Sequence, residues 1–119
     1  MNSFHVPYDT GWVACSDWTN QHLGDTVGAN VVHNFHVPLS KLLVGVFIST
    51  DGTDAASFVV PWGTTGSSTA AGITVFQVDS NNLKIQTHTN GFCYINDNGD
   101  TVVIAAQSYY YKVKVWYMG

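Results

Sequence analysis

The residues of this chain that could do chemistry are few, and most of them fall in turns. Two close aspartate pairs lie in glycine-containing segments, Asp51 with Asp54 in STDGTD and Asp97 with Asp100 in NDNGD. Aspartate is favoured in such turns because its side chain bonds the backbone two residues further on. The NDNGD segment also has oxygen ligands at alternate positions, like a calcium loop, but its glycine is one position early and the bidentate glutamate is absent. We therefore expect no metal site and no cofactor.

The histidines do not form a metal site within one chain. His33 and His36 are three residues apart in a predicted strand, which sends them to opposite faces. His33 shares its face with apolar neighbours, so we expect a core histidine with a hydrogen-bond partner. One alternative stays open, because a single histidine from each chain of a trimer could supply three ligands on the axis, and His5, His33 or His88 could do so.

Catalytic motifs are also missing. The chain has no Gly-x-Ser-x-Gly elbow, no phosphate-binding loop and no HExxH helix. It also has no glutamate, so the carboxylate pair of a glycoside hydrolase would have to be two aspartates. We expect a protein that is not an enzyme.

Aromatic residues are the stronger functional signal. The chain has four tryptophans, and Trp62 follows a proline at the start of the glycine-rich segment 63–72. An indole in a loop can stack on the apolar face of a sugar, while nearby carboxylates and amides bond its hydroxyls. Trp12 and Trp116 lie in predicted strands, where we expect core or interface positions. The predicted ligand-binding residues are Trp62, Trp18, Asp51, Asp54, Asp97 and Asn98.

Apolar and polar residues alternate with period two along the chain, which is typical of β-strands. We therefore expect strands to position these residues. The alternation is clearest over 109–117, where two lysines face outward from a row of tyrosines and valines. About eight or nine strands are predicted, near 11–17, 29–37, 42–50, 57–61, 72–78, 83–89, 92–96, 101–105 and 109–117. Asn98 and Gly99 suit a type I′ hairpin turn. The pattern predicts an all-β fold, an antiparallel β-sandwich of jelly-roll type, with an N-terminal arm over 1–8 and one domain over 9–119.

Composition excludes several classes of partner. The chain contains neither glutamate nor arginine, its net charge is −4, and charged residues make up 10% against about a quarter in an ordinary domain. Nucleic acid is a poor partner for so few lysines, and a neutral sugar suits them better than a phosphate. The apolar stretch 42–48 is too short to span a bilayer, and residues 1–9 do not resemble a signal peptide. Cys15 and Cys93 are expected to be buried thiols, with a single disulfide as the alternative.

Two predicted strands are apolar on both faces. In the strand near 42–50, Leu43 and Phe47 lie on one face, and the apolar residues at 42, 44, 46 and 48 lie on the other. In the strand near 101–105, Val103 lies on the face opposite to the apolar residues at 102 and 104. Such a strand must be covered on both sides. We expect a second copy of the chain to cover the outer side; the alternative is cover by the chain's own loops.

Four segments together resemble the C-terminal tip domains of tail fibres and other receptor-binding proteins of tailed bacteriophages. They are Asp9-Thr10-Gly11-Trp12, HNFHVPLSKLLVGVFISTDGTD over 33–54, GITVFQVDSNNLKIQT over 72–87, and the terminal YYYKVKVWYMG. In those families a D-[ST]-G-W entry leads into a compact β-domain that ends in a Tyr/Lys/Val strand. The resemblance implies a homotrimer in the virion tail, assembled in the host cytoplasm, that contacts other virion proteins and binds a host-surface receptor, often a glycan. It implies no catalytic residue.

Two other functions fit the same residues. The first is a stand-alone, monomeric, lectin-like module in which Leu43 and Phe47 are covered internally. The second is a structural virion protein, such as a tail or capsid decoration protein, without a receptor. A hydrolase is the least supported alternative.

Overall fold

The computed structural model describes residues 6–60 and 72–117, and these residues are organised as strands. Ten strands are present among them: β1 (Tyr8–Asp9), β2 (Val13–Cys15), β3 (Val31–Val32), β4 (Leu42–Ser49), β5 (Ser57–Val59), β6 (Thr74–Asp79), β7 (Asn82–Gln86), β8 (Phe92–Ile95), β9 (Thr101–Ile104) and β10 (Tyr109–Tyr117). Short 3-10 turns, Leu39–Lys41 and Asp54–Ala56, precede β4 and β5. Every strand pairing is antiparallel, which confirms the predicted all-β antiparallel class.

The last strand organises the largest sheet. Its order is β1-β10-β4-β5, and β2 also pairs with β10. The register between β10 and β4 runs without interruption from Tyr110 opposite Ser49 to Tyr117 opposite Leu42. The alternation predicted for β10 is confirmed, since its inward residues are fully buried while the lysines between them are not. The inward residues are Tyr111, Val113 and Val115.

Two smaller sheets complete the core. One has the order β3-β7-β6 and the other pairs β8 with β9. Leu83 and Ile85 of β7 and Phe92 of β8 are buried in the same apolar cluster as the inner face of the large sheet. The three sheets therefore share a single core, to which each contributes alternate residues.

The strand predicted over 29–37 is much shorter than expected. Only Val31–Val32 is a strand, because Asn34 and His36 adopt positive φ angles of 60° and 58°, which extended strands do not have. The backbone after β3 instead donates to the turn after β6: His33 N bonds Asn81 O at 3.0 Å, and His36 N bonds Asn81 Oδ1 at 2.9 Å. The two histidines therefore lie on an irregular loop and not on opposite faces of a strand.

His33 is buried as predicted, but only one of its two ring nitrogens makes a hydrogen bond among the described residues. Its Nδ1 accepts a hydrogen bond from the backbone of Phe35 at 3.0 Å, and its ring stacks on the Phe35 ring. Its Nε2 is buried and has no hydrogen-bond partner among residues 6–60 and 72–117. The His33 side chain is 5% exposed in the single chain. Of the other two axial candidates, His5 lies outside the described residues, and Nδ1 of His88 accepts the backbone N–H of Asn90.

The hairpin between β8 and β9 differs from the predicted type I′ turn. That turn needs positive φ at both Asn98 and Gly99, yet only Gly99 has it, at 86°. Asn96 donates its N–H to Asp100 O at 2.9 Å, and Gly99 donates its N–H to Asn96 O at 3.0 Å. This is a three-residue loop closed by a left-handed glycine, which needs positive φ at one position only.

Regular structure begins inside the segment predicted to be an arm. Tyr8 and Asp9 form β1 on the edge of β10, and the Tyr8 hydroxyl donates to Asp25 Oδ1 at 2.5 Å. Cys15 and Cys93 are both buried and no disulfide joins them, which confirms the expectation of thiols. Within the described residues, no helix has the length and apolar character needed to cross a membrane.

Candidate functional site

The side of the large sheet that points away from the core carries the candidate site. Outward residues of β10 alternate with the buried ones, and the register sets Lys112 opposite Phe47 and Lys114 opposite Gly45. Trp116 lies further along the same strand. We call this side the outer face and define it by Trp12, Phe47, Lys112, Lys114 and Trp116.

Two side chains on the outer face converge on one carboxylate oxygen of Asp54. The indole N–H of Trp12 donates to Asp54 Oδ1 at 3.0 Å, and the Lys112 ammonium donates to the same oxygen at 3.1 Å. The ammonium also lies 4.6 Å from the centroid of the Trp12 ring, a cation–π distance. The bonds from Lys112 and then Trp12 lower the pKa of Asp54, so its carboxyl is ionised at neutral pH.

The chain positions Trp12 by a bend after β1. Gly11 has a φ of 71°, a left-handed conformation that glycine adopts without strain. Before the bend, Thr10 is tied to β10 in both directions: its N–H donates to Val113 O at 3.0 Å, and its hydroxyl accepts the Val113 N–H at 2.9 Å. These contacts fix the point from which Trp12 crosses the outer face.

The turn after β4 positions Asp54. Buried Ser49 accepts N–H groups of Gly52 and Thr53 at 3.0 and 3.1 Å and donates its hydroxyl to Thr53 O at 2.8 Å. Asp51 Oδ1 accepts the Thr53 N–H at 3.0 Å and the Thr53 hydroxyl at 2.6 Å, and these bonds lower the pKa of Asp51. Asp51 therefore orders the turn that carries Asp54, and its Oδ1 is occupied by that role.

A hollow of about 200 Å³ opens beside this cluster. It is lined by Trp12, Phe47, Asp54, Ser57, Lys112 and Lys114. Lys114 extends over the ring of Trp116, with its ammonium 5.4 Å from the centroid. The lining combines aromatic surface, one carboxylate and two ammonium groups, which is a set suited to a small polar ligand with an apolar face.

The prediction that Trp18 binds a ligand is wrong. Its side chain is 0% exposed, it packs on Phe92, Tyr109 and Tyr111, and its N–H donates to Cys15 O at 3.1 Å. No face or edge of this indole is open to a sugar. Trp62, the other predicted tryptophan, lies outside the described residues.

The remaining predicted residues do not join the Asp54 hollow. Asp97 lines a separate groove of about 530 Å³ between β5 and β8, and Ser57 lines both this groove and the hollow. Asn98 is exposed in the hairpin turn, where its N–H donates to Asn96 Oδ1 at 3.0 Å. Of the predicted residues that the structure describes, only Asp54 lies at the outer-face site.

Sequence reasoning missed Trp12, Lys112 and Lys114 as site residues. The signal was present for β10, because Trp116 has the same strand parity as the two lysines and so shares their outward face. No local pattern placed Trp12 or Asp54 on the outer face. The two residues are 42 positions apart, and their contact depends on tertiary structure.

No metal site accompanies the cluster within the ranges 6–60 and 72–117, where no group of three His, Cys, Asp or Glu side chains converges. No protein-family model, curated protein or solved structure matches the chain. What the site can do therefore follows from its own residues.

Proposed function

We propose that this protein is a non-enzymatic binding domain of a bacteriophage tail, a homotrimer that attaches to a glycan on the host surface. Its bacteriophage origin rests on the sequence resemblance. The observation that carries the binding role is the hydrogen bond between Trp12 and Asp54, which holds an indole beside an exposed, ionised carboxylate at the edge of a hollow.

The chemistry of the hollow supports a sugar ligand. The Asp54 side chain is 82% exposed, and within the described part of the chain both of its hydrogen bonds from Trp12 and Lys112 go to Oδ1. Oδ2 is thus available to accept hydroxyl groups, while the rings of Trp12 and Phe47 offer apolar surface to a pyranose. Because these side chains are already held in place, binding costs less ordering entropy than in a loose loop.

The same residues argue against hydrolysis. Glycoside hydrolases require two carboxyl groups flanking the bond. Among the described residues, the lining of the hollow contains one carboxylate, Asp54, and no histidine or cysteine. A single carboxylate paired with a lysine suits binding and not acid–base catalysis.

Assembly is the second part of the proposal. Four large apolar side chains are exposed on strands of the two smaller sheets. These are Phe76, Val78, Ile95 and Val103. Leu43 and Val59 are also exposed, but they lie opposite Trp116 and Phe47 on the outer face, so the proposed interface does not include them. Burial between copies, in a trimer of jelly-roll-like sandwiches, would remove the four side chains from water, and three weak sugar sites on one particle would bind by avidity. Light scattering after size exclusion tests this part: we expect three chains per particle, and the mass of one chain would leave a monomeric lectin-like module instead.

A glycan array with purified protein tests the binding role. We expect Trp12→Ala and Asp54→Asn each to weaken glycan binding about tenfold, a loss of ~1.4 kcal/mol. Asp97→Asn is the matched control, because it removes an exposed carboxylate from the other groove. Wild-type binding by both outer-face variants would contradict the proposed site, and a trimer that binds no glycan would favour a structural virion protein. Trp62→Ala tests the prediction made for that residue.

A further inference from the structure

Basic residues are concentrated at the hollow. The chain has four of them, all lysines, and two, Lys112 and Lys114, line this one hollow. The protein as a whole carries a net charge of −4, so its overall field repels anions. The two ammonium groups on one side of β10 therefore form a local positive region on a protein of negative net charge.

The two lysines differ in how they are neutralised. Lys112 is only 17% exposed and is paired with Asp54 at 3.1 Å. Lys114 has no carboxylate within ion-pair distance among the described residues. Asp9 is opposite Lys114 in the sheet register, and its Oδ1 accepts the N–H of Gly11 at 2.8 Å. Lys114 therefore makes no ion pair among the described residues, although its charge acts on Asp54 through space. Its position over the Trp116 ring restrains the ammonium at the hollow.

We propose that the hollow binds an acidic sugar of the uronate type, with the sugar carboxylate paired to Lys114, its hydroxyls bonded to Asp54 and its ring against Trp12 and Phe47. This inference rests on the proposed glycan-binding function and names the class of glycan. It differs from the neutral sugar that the scarcity of basic residues favours, because two of the four lysines line this one hollow.

Charge balance selects a carboxylate over a phosphate. A phosphate monoester carries about −1.5 to −2 charges at neutral pH, whereas a uronate carries one. The hollow offers one unpaired ammonium, Lys114, and an exposed carboxylate, Asp54, that repels excess negative charge. A singly charged ligand is neutralised one to one, but a phosphate would leave a net repulsion with Asp54.

The size of the hollow agrees with one sugar residue. Its volume of about 200 Å³ is smaller than the ~300 Å³ at which pockets for drug-sized ligands begin. A single pyranose of a longer polymer fits such a space while its neighbours remain in solvent. Affinity per site is then low, and a polymer with many uronates is the appropriate probe.

Affinity electrophoresis in gels that contain a polysaccharide tests the proposal. The probes are polygalacturonate, the same polymer after reduction of its carboxyl groups, and dextran sulfate. We expect polygalacturonate to retard the wild-type protein about fivefold more strongly than the carboxyl-reduced polymer, and added salt to remove the difference. Lys114→Met should lower polygalacturonate binding to the level of the reduced polymer, and Lys114→Arg should retain it.

Lys84→Met is the matched control, because it removes the same charge from β7 in another sheet and should change neither interaction. Melting temperatures of all variants separate loss of binding from loss of folding. Equal binding of the charged and the reduced polymer, or an unchanged preference in Lys114→Met, would overturn the acidic-sugar assignment while leaving the glycan-binding function standing. Stronger, Lys114-dependent binding to dextran sulfate would replace carboxylate by sulfate as the ligand group. Failure of all three polymers to bind wild-type protein would also overturn the acidic-sugar assignment, whereas the glycan array alone decides the glycan-binding function.

Discussion

Trp116 lies across Gly45, so that a Cβ atom built on Gly45 would be only 3.0 Å from Cζ3 of the indole. The same atom would be 3.2 Å from Cε1 of Phe47. Gly45 is not among the residues with positive φ, so it is required here for space and not for backbone conformation. The missing side chain lets two aromatic rings lie close to the outer face of the sheet.

Filling this space should displace the rings. We expect Gly45→Val to lower the free energy of unfolding by about 1 kcal/mol, because overpacking forces aromatic side chains off their preferred rotamers. The emission maximum of tryptophan fluorescence should shift as Trp116 moves toward solvent, and Gly45→Ala should give a smaller shift. Urea denaturation and fluorescence measure the two effects. An unchanged spectrum and stability in Gly45→Val would show that the ring does not rest on this glycine.

Two glycines with positive φ should respond very differently to alanine. Gly91, at a φ of 111°, would place a Cβ 2.3 Å from Ile104 O, whereas Gly99, at 86°, has no atom within 4 Å of that position. We expect Gly91→Ala to cost about 3 kcal/mol or more, from backbone strain together with a clash against the β9 backbone. Gly99→Ala should cost only the strain, about 1 kcal/mol. Equal losses in chemical denaturation would contradict this difference.

His33 should make stability depend on pH below about 6.5. Burial is the main cause that lowers its pKa, although the charge of Asp79 acts in the opposite direction. As pH falls below 6.5, the unfolded chain takes up a proton that the folded chain refuses until its lower pKa is reached, so the free energy of unfolding decreases over that window. We expect His33→Gln to remove this slope, while His22→Gln retains it. Denaturation at pH 5 and pH 7.5 measures the difference, and an unchanged slope in His33→Gln would exclude this group as the cause.

Trp18 should matter for folding and not for binding. Trp18→Ala removes the largest fully buried side chain, so we expect a loss of about 3–5 kcal/mol. Trp18→Phe keeps part of the ring and should cost less, although the Cys15 carbonyl loses the indole N–H. The folded Trp18→Phe protein should bind glycan like the wild type. Weaker glycan binding at an unchanged melting temperature would restore Trp18 as a ligand-binding residue.

Much of the fold could be predicted from local pattern. Each predicted strand corresponds to a strand of the structure, because the period-two alternation specifies which face of a strand is buried. β10 is the clearest case, since Val113 and Val115 are buried while Lys112 and Lys114 point outward. The strand prediction over 29–37 was wrong beyond Val32. Asn34 and His36 have positive φ angles there, which are set by bonds to a distant turn and not by hydrophobic pattern.

The candidate site depended on tertiary structure. Trp12 and Trp18 are six residues apart, and local sequence assigned them the wrong way round: it predicted a core or interface position for Trp12 and a binding position for Trp18. Trp18 is buried because it meets Phe92 and Tyr111, both far along the chain. Trp12 forms part of the site because Asp54 reaches it from another turn.

By itself, the sequence determined an antiparallel all-β chain with few charges, two thiols and an outward row of lysines on its last strand. Only the tertiary structure decided which of those charges meet, because Lys112 and Asp54 are 58 residues apart and are joined by strand register and a turn. Periodicity acts over neighbouring residues, whereas a binding site depends on contacts between distant ones, and their geometry follows from packing of the whole sheet.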